Sequence, residues 1–329
     1  GPSLITMPHV FADTFAAAGA RIEDHLQLAR LEPVAEYVWP DGTRLTHSAQ
    51  LPHWLETIRQ LEPRDVAGFM RFLKLGARLF ELSDATFLRR AMDAPPDWRT
   101  LTALRHLPLR RAWGNYARAV EGLFRSPYLR QMFNRYPTYV GSSPWQSPAT
   151  LLVIPYLEIA FGGWFVKGGL YRIVEALAAV ARARGAELLT SAAVERFTHS
   201  SGRVKGVRLS DGRNVDADVV VMNGDAGYLD RLLGRDDGAE LPTARRSMSG
   251  YLLLAGSRRR LHGTHHHTVC FSADYRAEFR QLIDERRLPD DPTVYVNRPS
   301  RSDPSVAPEG CEGLFIMANA PAEDALDTS

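Results

Sequence analysis

The sequence predicts an α/β fold, and three observations carry that prediction. A strand, a glycine turn, a helix and a strand follow one another over residues 161–199. Asp41-Gly42 and Asp211-Gly212 stand between β-prone runs, a strong hairpin signal. In the last third, short apolar runs of strand length alternate with a stretch of helical periodicity.

The elements read in order as follows. Residues 8–19 form a short helix closed by Gly19, and 33–47 a hairpin about Asp41-Gly42. From 51 to 135, Leu, Phe, Trp and Arg recur at helical spacing, with Pro63, Pro95-Pro96, Pro108 and Pro127 as punctuation. A helix starts at Glu62-Pro63-Arg64-Asp65 and runs through Phe80. Residues 136–147 are a loop, and 149–159 a helix with Pro155 inside it. Gly162-Gly163 and Gly168-Gly169 bracket a short aromatic strand. Leu170, Ile173, Val174, Leu177 and Val180 then mark a helix face, which Gly185 caps. Strands follow over 187–199, 203–209 and 214–222, with Val219 to Met222 of the buried type. Asp225 caps the helix that ends at Leu233. Strands at 248–255, 268–271, 292–297 and 313–320, with a helix over 274–287, complete the chain.

Composition narrows the function classes. The chain has 329 residues, enough for roughly two domains. A net charge of +2 argues against a dedicated nucleic-acid binder. Cys270 and Cys311 are no disulfide framework, which points to a reducing compartment, and Cys270 reads as core packing. The best membrane-span candidate, 148–166, is interrupted by Pro155, Glu158 and Gly162-Gly163. Residues 64–135 hold fourteen Lys or Arg against six Asp or Glu. That basic, apolar block suits an anionic membrane surface, and equally an ordinary helical domain with a solvated face.

The chemistry-bearing candidates are few. Gly168 and Gly169 permit close approach to a flat or phosphorylated group, with a helix N-terminus behind them; the same residues also read as a tight turn into a core helix. Glu158 is a carboxylate in an apolar stretch, either a proton-transfer group or a salt-bridged core residue. His265 and His267 share a strand face and His262 lies near, but no third ligand stands at metal spacing, so no metal is expected. There is no Gly-x-Ser-x-Gly, no P-loop and no Gly-x-Gly-x-x-Gly.

Several motifs together resemble the flavin-dependent carotenoid desaturases, the bacterial phytoene and dehydrosqualene desaturase group of the amine oxidase flavoprotein superfamily. They are Gly1-Pro-Ser-Leu-Ile-Thr, Tyr139-Val-Gly-Ser-Ser-Pro144, and Glu158 with Phe161-Gly-Gly-Trp-Phe-Val-Lys-Gly-Gly169. Asn223-Gly-Asp225, His267-Thr-Val-Cys-Phe-Ser-Ala-Asp-Tyr-Arg276, Asp291-Pro-Thr-Val-Tyr-Val and Asp303-Pro-Ser-Val-Ala-Pro-Glu-Gly310 continue the match. The match spans essentially the whole chain in order.

The resemblance implies a partial FAD-binding Rossmann-like domain without its N-terminal dinucleotide unit, a mixed β-sheet substrate domain and a helical membrane-associating insertion. On that basis residues 1–50 begin the substrate domain and 51–147 face the membrane. Residues 148–240 form the centre of the FAD domain, and 241–329 the substrate sheet. The chain is then expected to be an internal piece of a longer protein, inactive by itself. Gly168, Gly169, Val194 and Asp225 are implied as FAD contacts, with Gly224 standing where the family has another small residue. The implied reaction is desaturation of a linear polyene, phytoene or dehydrosqualene, by hydride transfer to FAD, with Glu158 as the base. A cytoplasmic, membrane-peripheral location follows. Two alternatives stay open: a related flavoprotein acting on later carotenoids, and a non-catalytic isoprenoid carrier similar to the Rab GDP-dissociation inhibitors.

Overall fold

The computed structural model describes residues 3–88, 91, 98, 102, 114–235, 246–261 and 263–322. The Pro95-Pro96 and Pro108 punctuation and His262 lie outside the described residues. Two compact units divide the chain, Gly1–Leu177 with Ser247–Ser329, and Ala178–Arg246.

The helices are α1 (Pro8–Ala17), α2 (Leu51–Leu61), α3 (Asp65–Ser83), α4 (Tyr116–Leu123), α5 (Pro127–Asn134), α6 (Val153–Phe161), α7 (Tyr171–Ala183), α8 (Leu229–Leu232) and α9 (Tyr275–Phe279). The strands are β1 (Leu28–Arg30), β2 (Ala35–Val38), β3 (Arg44–His47), β4 (Trp164–Val166), β5 (Val194–Ser200), β6 (Arg203–Leu209), β7 (Asn214–Asp216), β8 (Ser249–Ser257), β9 (His267–Cys270), β10 (Val294–Asn297) and β11 (Glu312–Ala320).

The larger unit is built on a six-stranded sheet of order β3-β2-β9-β10-β11-β8. The β2–β9 pair is parallel and the others antiparallel, so the sheet is mixed. The predicted hairpin supplies β2 and β3, and its turn needs Gly42 at φ +87°. A second, two-stranded sheet pairs β1 with β4.

Helices pack beside the large sheet through one aromatic core. In α3, Phe69, Phe72, Leu75 and Leu79 fall on one face and are buried, as the helical period requires. Arg71, Lys74 and Arg78 occupy the exposed side. Gly76 lets α3 approach α6 closely; a Cβ there would sit 2.5 Å from Tyr156 Cβ. The α4–α5 connection is pinned by buried Asp65, whose two oxygens accept the backbone N–H groups of Arg125 (2.7 Å) and Ser126 (2.8 Å). Ser126 caps α5, and Pro127 follows at a first-turn position where its missing N–H costs nothing.

Pro155 does not break the predicted 149–159 helix. A 3₁₀ turn over Ala149–Leu152 leads into α6, which places Pro155 in the first α turn, where no intrahelical N–H bond is required. Similarly, the predicted 274–287 helix begins as α9, capped by Asp274, and continues as a π turn over Arg280–Asp284.

The smaller unit carries a three-stranded antiparallel meander, β5-β6-β7. Gly206 makes its close crossing possible: a Cβ there would lie 2.1 Å from the Val215 carbonyl oxygen. Two expectations need correction. Val219 to Met222 do not form a buried strand; Val219 is 76% and Val221 84% exposed. A parallel-type strand needs neighbours on both edges, and no described strand pairs with this segment. Cys270, read as core packing, is exposed at the end of β9; Thr268, two residues earlier on the same face, is buried, so the exposure belongs to the strand end and not to the face.

Candidate functional site

The larger unit contains a partly open cavity of about 430 Å³. Its floor is one face of the sheet: Val34, Ala35 and Tyr37 lie on or beside β2, Val269 is on β9, Tyr295 on β10 and Met317 on β11. Arg135, Thr138, Tyr139 and Glu158 form its roof. Aliphatic and aromatic side chains dominate the walls, which is the usual character of a small-molecule site.

Glu158 sits in the second half of α6 and is only 3% exposed. Tyr136 Oη donates to its Oε1 at 2.6 Å, and Tyr139 Oη donates to its Oε2 at 3.1 Å. Both phenols come from the single 3₁₀ turn Tyr136–Val140, where a spacing of three puts them on the same side. Burial and then the Glu158 charge hold the Tyr136 hydroxyl well above the ordinary phenol range; Tyr139 is 47% exposed, but its hydroxyl end points inward and is raised in the same direction, so both remain donors. His47 on β3 places Nδ1 3.8 Å from Glu158 Oε1, and burial lowers its pKa, leaving the ring neutral. The carboxylate is thus held by neutral hydrogen-bond donors, and it is not in a salt bridge to Lys or Arg among the described residues.

The other sequence candidates are elsewhere. Gly168 and Gly169 take φ of +84° and +96°, which only glycine adopts without strain. The Gly168 N–H donates to Asp303 Oδ2 at 2.6 Å, and the Gly169 N–H to the Val166 carbonyl at 2.9 Å. Both donors are therefore used within the chain. Val194 and Asp225 come together in the smaller unit, where they line a cavity of about 680 Å³ with Phe197, Val220, Met222 and Asn223. Glu195 and Asp225 give that apolar slot two carboxylates, acceptors suited to the ribose hydroxyls of a dinucleotide, beside apolar side chains suited to its flat base.

His265 and His267 do not chelate together. His267 is buried against Tyr295, with Nδ1 2.7 Å from Oη, while His266 Nδ1 meets Ser302 Oγ at 2.7 Å. No group of three metal-capable side chains converges among the described residues.

Sequence reasoning missed His47, Arg135, Tyr136 and the sheet tyrosines. Tyr136 and Tyr139 lie in a stretch read as loop, and their spacing of three is the one local signal that pairs them; His47 and the sheet tyrosines converge through the sheet, and Arg135 arrives with the turn that carries the two phenols.

A family model described as flavin containing amine oxidoreductase matches residues 1–269. The chain belongs to that family. It is 35% identical over 324 residues to a zeta-carotene-forming phytoene desaturase of Myxococcus xanthus, covering 98% of this chain and 62% of the relative. A hydroxyneurosporene desaturase of Rubrivivax gelatinosus is also 35% identical, with 98% and 63% covered. The chain thus spans less than two thirds of the length of these relatives. Among solved structures, an oxidoreductase from Methanosarcina mazei aligns over 96% of this chain and 65% of its own, with a TM-score of 0.58 at 16% identity. That likeness is one of fold.

Proposed function

We propose that the full-length protein is an FAD-dependent desaturase of a linear carotenoid. The substrate class is a polyene of the phytoene or dehydrosqualene type, or an end-modified relative. The observation that carries this reading is a partly open, largely apolar cavity with one buried carboxylate, Glu158, held in its roof. The names of the relatives support the same class.

The substrate chain offers no charged handle. Affinity must come from apolar contact, at ~25 cal/mol per Å² before ordering costs. Flavin, when bound, supplies the hydride acceptor. Glu158 takes the proton from the carbon next to the one that loses hydride, and the new double bond forms between them. Tyr136 and Tyr139 fix the carboxylate so that its lone pairs face the cavity. The sheet face and the Tyr139 ring hold the polyene and exclude water.

In this reading the 178–246 unit belongs to the flavin domain, and Val194, Glu195 and Asp225 would hold the adenosine end of FAD. Gly168 and Gly169 shape the turn after β4, beside which the flavin would lie; their N–H groups serve Asp303 and Val166. Arg71, Lys74 and Arg78 form a basic stripe on α3. We assign that stripe to an anionic membrane surface, where the substrate resides. No helix among the described residues is long and apolar enough to cross a membrane.

The test is expression of the full-length gene in cells that accumulate linear carotenes and, separately, in cells that accumulate their end-hydroxylated derivatives. Newly coloured, more unsaturated products are expected in at least one of the two. Unchanged polyenes in both, beside a folded, FAD-loaded protein, would refute the reading.

A further inference from the structure

The cavity roof holds a charge that a pure hydrocarbon cannot use. Arg135 follows α5 and is only 9% exposed. Its guanidinium lies over the Tyr139 ring, 5.3 Å from the centroid, and over the Tyr295 ring at 5.6 Å. Cation–π contacts of this kind engage the charge of the guanidinium and do not use up its N–H donors. Among the described residues those donors make one hydrogen bond, a long one of 3.3 Å to Tyr139 Oη. His267, on the sheet beside Tyr295, is buried as well, and its Nε2 has no partner. Its Nδ1 is committed to Tyr295 Oη and Asn297. Both Arg135 and His267 line the cavity.

A hydrocarbon packed here would strip water from the guanidinium and give nothing back. An oxygen on the substrate would accept from the Arg135 edge. It would also accept from His267 Nε2, which carries the proton of the neutral ring because Nδ1 accepts from Asn297 Nδ2.

Resting on the desaturase reading, we infer that Arg135 is a specificity-determining residue, and that the cavity accepts a linear carotenoid carrying a hydroxyl or carbonyl group at the end that enters it. The relatives named above include both a hydrocarbon and a hydroxylated substrate class, and Arg135 selects the oxygenated one. Lys at this position keeps the charge, though not the stacked fork; Gln loses the charge.

The experiment uses the full-length, FAD-loaded protein with two substrates: an acyclic C40 carotene, and the same carotene with a tertiary hydroxyl at one end. The expected kcat/KM favours the hydroxylated polyene by roughly ten- to a hundredfold, mainly through KM. Arg135→Gln is expected to erase that preference, and Arg135→Lys to restore part of it, with both variants folded by their melting curves. Equal kcat/KM for the two substrates would overturn the inference, as would a preference that survives in Arg135→Gln. Polyene binding, read from its absorption shift, separates the two levels. If neither substrate is desaturated but the hydroxylated one binds in an Arg135-dependent way, the desaturase reading fails and the subsite stands. If neither binds, the subsite fails too.

Discussion

Tyr136 Oη lies 2.6 Å from Glu158 Oε1, and both groups are buried. The contact joins the 3₁₀ turn after α5 to the helix α6, and it makes the cavity carboxylate part of the packing. Losing one partner would strand the other without water. Glu158→Ala is therefore expected to destabilise the protein by ~1–3 kcal/mol, measured by urea unfolding, whereas Glu158→Gln keeps an acceptor and costs less.

Chemistry separates these variants differently. In full-length enzyme Glu158→Gln has no basic carboxylate, so anaerobic flavin reduction by polyene should slow by about a hundredfold or more. Tyr136→Phe should slow it less, because Tyr139 still orients Oε2. A Glu158→Gln enzyme reduced at the wild-type rate would remove Glu158 from the mechanism.

Close helix packing positions that carboxylate. Gly76 on α3 faces Tyr156 on α6, two residues before Glu158. Gly76→Ala places a methyl inside the Tyr156 contact and is expected to cost ~1–3 kcal/mol by thermal or urea unfolding. Gly122→Ala, where the added carbon meets open space, serves as the control for helical substitution.

The glycine turn after β4 has a different dependence. Gly168 needs its positive φ, and its N–H is held by Asp303. Asp303 also accepts from Ser305, and these bonds hold its carboxyl below the usual range. Asp303→Ala should cost ~1.5–3 kcal/mol at neutral pH, the worth of a hydrogen bond to a charged group. Hydrogen exchange should show the Gly168 amide losing protection first.

Buried histidines set the acid limit. Burial pushes His266 down to about 4, and His47 and His267 are shifted in the same direction. Below about 6.5 the unfolded chain takes up protons that these rings refuse in the fold. Stability is therefore full above pH 6.5 and falls as pH drops toward 4, by roughly 3 kcal/mol for His266 alone. Urea midpoints across that window should show the loss, and His266→Gln should flatten it.

Much of the fold was legible because its signals are local. The Asp41-Gly42 hairpin, the Asp211-Gly212 turn and the face of α3 each follow from turn chemistry or a period of 3.6. What was not legible depends on pairing across the chain. The parallel β2–β9 pair brings Tyr37 beside Val269 from 232 residues away, and no local pattern encodes that. Val219 to Met222 misled for the opposite reason: the apolar run states what a strand wants, and burial depends on neighbours the described sheet does not supply. At the site, Glu158 stood out as a carboxylate in an apolar run, while its donors Tyr136 and Tyr139 read only as loop. Arg135 merged into the basic count of its region, and only its placement over two tyrosine rings distinguishes it.

The central claim is that this cavity delivers a polyene to a flavin. It is tested most directly by mixing full-length, FAD-loaded protein with a linear carotenoid under anaerobic conditions and following flavin absorbance. The account predicts bleaching of the oxidised flavin band with appearance of a longer polyene chromophore, one new double bond for each flavin reduced. A flavin that stays oxidised while the polyene is bound would contradict it.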